Sequence, residues 1–292
     1  MTLFTGAATA LVTPFEEGKV DFSTFGRLID WQIEQGIDAL VICGTTGEAS
    51  TLNDEEHVET VRYAIRKTAG RVPVIAGAGS NDTHHAIEMS KALEQEGADG
   101  LLLVTPYYNK CTQKGLVIHY NAIADQVNIP AILYSVPGRT GVNITPYAVS
   151  ELCKHPNIVG IKEASGDMAQ VVDIAKYVDE DFALYSGNDE INIPIVAMGG
   201  FGAISVLANI APKQTHTMID HYLKGRVKEA VKMQLFMKSL IDALFCEVNP
   251  IPVKAALHLM GMIELEYRLP LCPPQPASVE KIKNQMLACG LL

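Results

Sequence analysis

The chain has 292 residues, 48% of them hydrophobic and 19% charged, and its 33 acidic against 23 basic side chains leave a formal net charge of −10. A chain of this length buries roughly three-quarters of the surface its unfolded form exposes, so its core needs no disulfide or metal staple. An acidic chain without Lys/Arg runs lacks the charge that nucleic-acid and anionic-membrane binding rest on, which excludes both partners as a first reading.

In chain order, Met1 to Phe15 has no Lys or Arg ahead of its apolar stretch and does not read as a signal peptide. Ala7–Val12 is the first of eight short apolar runs, followed by Ala39–Cys43, Val72–Ala76, Leu101–Val104, Ala131–Tyr134, Ile158–Ile161, Ala183–Tyr185 and Ala203–Leu207. Near-continuous apolar runs bounded by Gly or Pro are the pattern of strands buried on both faces. Their start-to-start intervals, 20 to 33 residues, each leave room for one helix. Phe22, Phe25, Ile29 and Ile33 keep helical spacing and stop at Gly36. Asn53 with Glu56 resembles a capping box, leading through Val58, Val61, Ala64 and Ile65 to Gly70. Thr145–Pro146 reads as an N-cap with Pro at the first helical position, leading into Tyr147–Cys153. Ile191 to Pro212 is uncharged over 22 residues, but its Pro, Gly and Asn interruptions suit a helix and a buried strand better than a membrane span.

Eight strand–helix units predict an α/β fold with a parallel sheet, and eight is the number that closes a (β/α)8 TIM barrel. A doubly wound open sheet is the competing arrangement. Beyond the eighth unit, Lys228–Phe245 and Ala277–Ala288 read as further helices, separated by the Pro-rich stretches Asn249–Pro252 and Pro270–Pro276. The expected organisation is a barrel over 1–224 and a C-terminal all-helical appendage over 225–292, packed on the barrel because no Gly/Ser linker joins them. The six cysteines, Cys43, Cys111, Cys153, Cys246, Cys272 and Cys289, include no CxxC pair and read as reduced thiols of a cytoplasmic protein.

The C-terminal ends of barrel strands are where a TIM-barrel site is built. There the sequence places Gly44–Glu48, Thr105–Asn109, Tyr134–Gly141 and, in the sixth strand, Lys162. Period-two alternation sets Lys162 on the face of Ile158 and Gly160, inward if Val159 and Ile161 pack on helices. Desolvation there disfavours the ammonium, and a neutral amine is what imine formation with a carbonyl requires. Alternatively Lys162 snorkels to solvent or pairs with Glu163. Tyr134 lies level with it on the neighbouring strand, as a proton shuttle or as a core tyrosine. Arg139, in a Pro/Gly-rich loop, suits bidentate contact with a carboxylate or is a solvated surface residue. The Gly44–Glu48 loop is an anion nest or a plain turn. Gly77-Ala78-Gly79 lacks the third glycine of a dinucleotide fingerprint, and neither a P-loop, an HExxH metal motif nor a GxSxG elbow is present, so no cofactor or metal is expected.

GTTGE at Gly44, TPYYN at Thr105, YSVPGRTG at Tyr134, GIKEA at Gly160, SGND at Ser186 and NPIPVK at Asn249, in this order over the whole chain, resemble the dihydrodipicolinate synthase family. That family belongs to the pyruvate-dependent class I aldolases and lyases. The resemblance implies condensation of pyruvate with L-aspartate 4-semialdehyde through a Schiff base on Lys162, opening lysine and diaminopimelate biosynthesis. It implies a relay of Tyr134, Thr45 and Tyr108, with Tyr108 reaching an adjacent subunit, and pyruvate's carboxylate against Thr45 and Thr46. Arg139 then holds the second substrate, Gly187 and Ile204 line the pocket by their backbones, and the assembly is a homotetramer, a dimer of dimers. A sibling lyase for N-acetylneuraminate or 2-keto-3-deoxy sugar acids, and a catalytically dead barrel that only binds, are the alternatives. In lysine-inhibited relatives an Asn is followed four residues on by Glu. Asn81 is here followed by His85, and Asp54 replaces a frequent His although His57 and Tyr107 match, so lysine feedback is expected to be weak or absent.

Overall fold

A computed structural model describes residues 2–292. Its strands are β1 (Gly6–Ala10), β2 (Phe15–Glu16), β3 (Lys19–Val20), β4 (Ala39–Ile42), β5 (Val74–Gly77), β6 (Gly100–Val104), β7 (Ala131–Ser135), β8 (Ile158–Glu163), β9 (Ala183–Ser186) and β10 (Gly202–Ser205). β2 and β3 form a small antiparallel ribbon; the other eight close a parallel barrel in the order β1-β10-β9-β8-β7-β6-β5-β4. The architecture is the expected TIM barrel rather than an open sheet, and each apolar run overlaps one barrel strand.

The helices are α1 (Phe22–Glu34), α2 (Asp54–Thr68), α3 (Thr83–Gln95), α4 (Gln113–Ala124), α5 (Pro137–Thr140), α6 (Pro146–Leu152), α7 (Met168–Ala175), α8 (Asn192–Ala197), α9 (Pro212–Leu223), α10 (Val227–Leu244), α11 (Ile251–Leu259) and α12 (Pro276–Ala288). Local chemistry accounts for their ends. The Asn53 carboxamide accepts from the Glu56 amide at 2.9 Å, three acidic residues occupy the first turn of α2, and Arg66 and Lys67 occupy its last. That charge order complements the helix dipole. Thr145 caps α6 with Pro146 in its first turn, as the sequence predicts.

Two layers of apolar packing hold the barrel. The outer layer joins the strands to the helices through residues such as Leu40, Leu101, Leu133 and Ile161. The inner one fills the barrel with Ala8, Ala10, Val41, Ile75, Leu102, Ile132, Tyr134, Tyr185 and Ile204. Polar clamps seal the seam where the first and last barrel strands meet: Asn209 donates to Ala10 O and accepts from Val12 N, while buried Gln32 accepts from Thr9 and donates to Ala208 O.

One expectation is corrected. Asn249–Pro252, read as a Pro-rich separator, leads directly into α11, whose first turn holds Pro252. The N–H that proline lacks has no intrahelical partner there, so proline starts this helix instead of breaking it. α11 drives Lys254 into the protein, fully buried, where its Nζ donates to Glu48 Oε1 at 2.6 Å and lies 4.4 Å from the Phe15 ring centroid. Burial pulls the Lys254 pKa down, with Glu48 opposing.

Removing one partner of a buried pair strands the other charge. Lys254→Met is therefore expected to lower unfolding stability by about 3–5 kcal/mol in chemical denaturation, with most of the loss recovered in Lys254→Met/Glu48→Leu. A loss under about 1 kcal/mol in the single variant would contradict a coupled pair.

Candidate active site

The site grows from an irregularity in β8. Against β7, Ala131 pairs with Ile158 but Ile132 pairs with Gly160, leaving Val159 as an extra residue. This bulge breaks the predicted alternation. Ile158 packs outward and Val159 joins the barrel interior, the reverse of the expected assignment, while Ile161 packs on the helices as expected. Gly160 is needed at the bulge, because a Cβ there would lie 2.5 Å from Ala183 O. Beyond it the alternation resumes with Lys162 directed inward, in register with Tyr134 on one side and Tyr185 on the other.

Lys162 is 5% exposed, and its Nζ lies 4.2 Å from the Tyr134 ring centroid. Among the described residues no carboxylate pairs with it. Glu163 points away and takes hydrogen bonds from Ser165 and Gln170, while burial raises its own pKa. Neither snorkelling nor a Lys162–Glu163 pair is therefore present. The Tyr185 hydroxyl donates to Phe4 O at 2.8 Å, whereas the Tyr134 hydroxyl has no protein partner among the described residues and is the phenol left for exchange beside Lys162. Ile204 belongs to the same interior cluster as Tyr134. Gly187 donates its N–H to Glu163 O at 2.7 Å; a Cβ there would lie 2.7 Å from the Ala164 Cβ and 3.1 Å from Lys162 Cε.

Above this floor opens a cavity of about 440 Å3 whose wall includes Thr45, Tyr134 and Arg139. Thr45 stands in a turn closed by Glu48 N donating to Thr45 O, with Glu48 left-handed at φ 55°. Thr46 lies behind it, buried, its Oγ1 accepting from Asn249 Nδ2 at 2.9 Å. Arg139, on the short helix α5, donates through Nη2 to Asn249 O at 3.1 Å. The cavity continues past His57, Asp54 and His85. Burial lowers the His57 pKa, and its Nε2–H donates to Gly77 O at 2.8 Å. His85 Nε2 lies 3.7 Å from Asp54 Oδ1.

The structure thus brings together Lys162, Tyr134, Gly187 and Ile204 inside the barrel, and Thr45, Thr46 and Arg139 at its mouth. Tyr108 stands apart, 92% exposed with φ 69°. Three contacts escaped sequence reasoning, those of Asn249 with Thr46 and with Arg139, and that of Lys254 with Glu48. Their only signal was the NPIPVK segment, which carried no assigned contact.

A family model described as the dihydrodipicolinate synthetase family matches residues 3–288. A protein of Acetivibrio thermocellus named 4-hydroxy-tetrahydrodipicolinate synthase is 52% identical over 290 residues, 99% of each chain. The crystal structure of dihydrodipicolinate synthase from Thermotoga maritima superposes with a TM-score of 0.98 at 42% identity, covering all of both chains. That of the chloride-inhibited dihydrodipicolinate synthase from Acinetobacter baumannii, complexed with pyruvate, reaches 0.97 at 44% identity, again over the full length of both.

The tight fit at Gly187 is open to test. Gly187→Ala is expected to cost about 1–3 kcal/mol of stability by overpacking, read by thermal or chemical unfolding. Adding Ala164→Gly should return most of it, since the nearest contact is then gone; an unchanged Gly187→Ala protein would mean the segment yields freely.

Proposed function

The chain belongs to the dihydrodipicolinate synthetase family and is a lyase, and on that premise we propose that it catalyses the 4-hydroxy-tetrahydrodipicolinate synthase reaction, joining pyruvate to L-aspartate 4-semialdehyde. The observation that carries this reading is Lys162, buried without an ion-pair partner beside the free hydroxyl of Tyr134.

Lys162 Nζ attacks the keto carbon of pyruvate, and the carbinolamine loses water to give an imine. The protonated imine nitrogen is the electron sink, so the reaction requires no cofactor. Loss of a methyl proton gives an enamine, whose carbon attacks the aldehyde. The substrate's amino group then adds to the imine carbon, closing the ring and expelling the lysine amine. Tyr134, Thr45 and Tyr108 of an adjacent subunit relay protons, Thr45 and Thr46 receive the pyruvate carboxylate, and Arg139 receives that of the aldehyde. Gly187 leaves room beside Lys162 Cε, and Ile204 closes the pocket with it. A charged hydrogen bond to each carboxylate lets an acidic protein hold anionic substrates in a small positive site.

We propose a homotetramer built as a dimer of dimers. The exposed side chains of Tyr108, Leu235 and Phe236 support association. The barrel over 1–224 and the helices over 225–292 are proposed as the two units. Among the described residues no helix is long and apolar enough to cross a membrane, and a cytoplasmic place in lysine and diaminopimelate biosynthesis is part of the same proposal. Weak lysine feedback is proposed too: His85 supplies no carboxylate, and Asp54, the carboxylate that lines this cavity, already faces it.

Borohydride with pyruvate is expected to add one reduced pyruvyl group to the Lys162 peptide; labelling elsewhere, or none, would falsify the imine. Arg139→Ala should keep this adduct yet lose about 10- to 100-fold in turnover with the semialdehyde, the worth of one charge-assisted contact. Lysine titrated to tens of millimolar should inhibit weakly if at all, and strong sub-millimolar inhibition would overturn the reading of His85.

A further inference from the structure

Thr46 and Arg139, at the two proposed carboxylate sites, meet at one residue of the appendage. Asn249 is 5% exposed; its side-chain N–H donates to Thr46 Oγ1 at 2.9 Å, and its main-chain carbonyl accepts from Arg139 at 3.1 Å. Because Thr46 Oγ1 is here the acceptor, its own hydroxyl proton remains unspent, with no protein acceptor among the described residues. A hydroxyl is one donor with two acceptor lone pairs, so the neighbour that occupies the lone pair decides where the proton goes. With the amide reversed, its oxygen would take the Thr46 proton and leave nothing to donate to an anion.

Asn249 keeps this orientation without a second reward. Its Oδ1 is buried and unpartnered, a state that costs stability and that buried polar groups in folded proteins seldom tolerate. What Asn249 supplies to Thr46 is thus a donor alone.

We propose that Asn249 is a positioning residue that sets the donor polarity of Thr46 toward the pyruvate carboxylate. The proposal deepens the functional reading above and rests on it. It makes the appendage part of the site's chemistry. Asn249 has no direct place in the barrel's proton relay; it acts through Thr46, and the backbone contact to Arg139 does not depend on its side chain.

That separation gives the test. Asn249→Asp is nearly isosteric, but a carboxylate can only accept, so it captures the Thr46 proton and adds a negative charge behind an anion site. KM for pyruvate is expected to rise at least about tenfold, while kcat at saturating pyruvate and KM for the semialdehyde stay within about twofold. The ratio of variant to wild-type KM for pyruvate should shrink as pH falls and the new carboxyl takes up a proton, a signature that lost packing does not give. Asn249→Ala, which removes the donor without adding charge, should raise KM for pyruvate about three- to tenfold without that pH dependence, and serves alone if the Asp variant does not fold. An unchanged KM for pyruvate in a folded variant overturns the proposal, as does a parallel loss in kcat and in both KM values. Failure of the wild-type protein to form the borohydride-trapped pyruvyl adduct would instead overturn the reading of the site itself.

Discussion

The buried pair of Glu48 and Lys254 is the constraint on which the mouth of the barrel depends. Glu48 ends the turn that presents Thr45 and Thr46, and it does so in the left-handed backbone region at φ 55°, a conformation that costs a non-glycine residue energy. Such a turn persists only when something outside it over-determines its shape. Lys254 does so at 2.6 Å from the appendage side, sandwiched against Phe15 of the β2–β3 ribbon. Arg268 stacks on the same ring and ties Glu56, Thr51 O and Gly18 O together. Three segments far apart in sequence thereby converge behind one loop, and the carbonyl and amide of Asn249 extend that support to Arg139 and Thr46.

The barrel floor is organised by the opposite means, exclusion instead of charge. Lys162 stands among Tyr134, Tyr185 and Ile204 with no carboxylate to stabilise an ammonium, and the bulge at Val159 adds an apolar side chain to the same interior. Charged side chains stand at the mouth, while Lys162 at the floor is surrounded by an apolar interior.

Much of this was legible in the sequence, because strands and helices write their burial in local periodicity. Each of the eight apolar runs overlaps its barrel strand, and the caps at Asn53 and Thr145 start the helices they announced. Lys162 was placed inward correctly, although the alternation that put it there fails between Ile158 and Gly160; the bulge moved Val159 and spared Lys162. What stayed hidden was of two kinds. The stretch Asn249–Pro252 reads as a separator between helices although Pro252 sits in a first turn, where proline belongs, which hides α11 and everything it carries inward. The contacts of Asn249 with Thr46 and of Lys254 with Glu48 join residues 203 and 206 apart, beyond the reach of any pattern in a local window. Tyr108 is hidden in another sense, since the role proposed for its exposed ring lies against a second chain, which no pattern within this one reads.

That same separation has a consequence for the order in which the molecule comes into being. At roughly 5–20 residues per second of synthesis, the 206 residues between Glu48 and Lys254 correspond to about 10–40 s during which the carboxylate exists without its partner. Through that interval Glu48 remains hydrated and nothing over-determines its turn, so the barrel strands emerge before the loop that crowns them acquires its shape. The last helices of the chain therefore bring the partner that sets this entrance only after the residues of every barrel strand have been made.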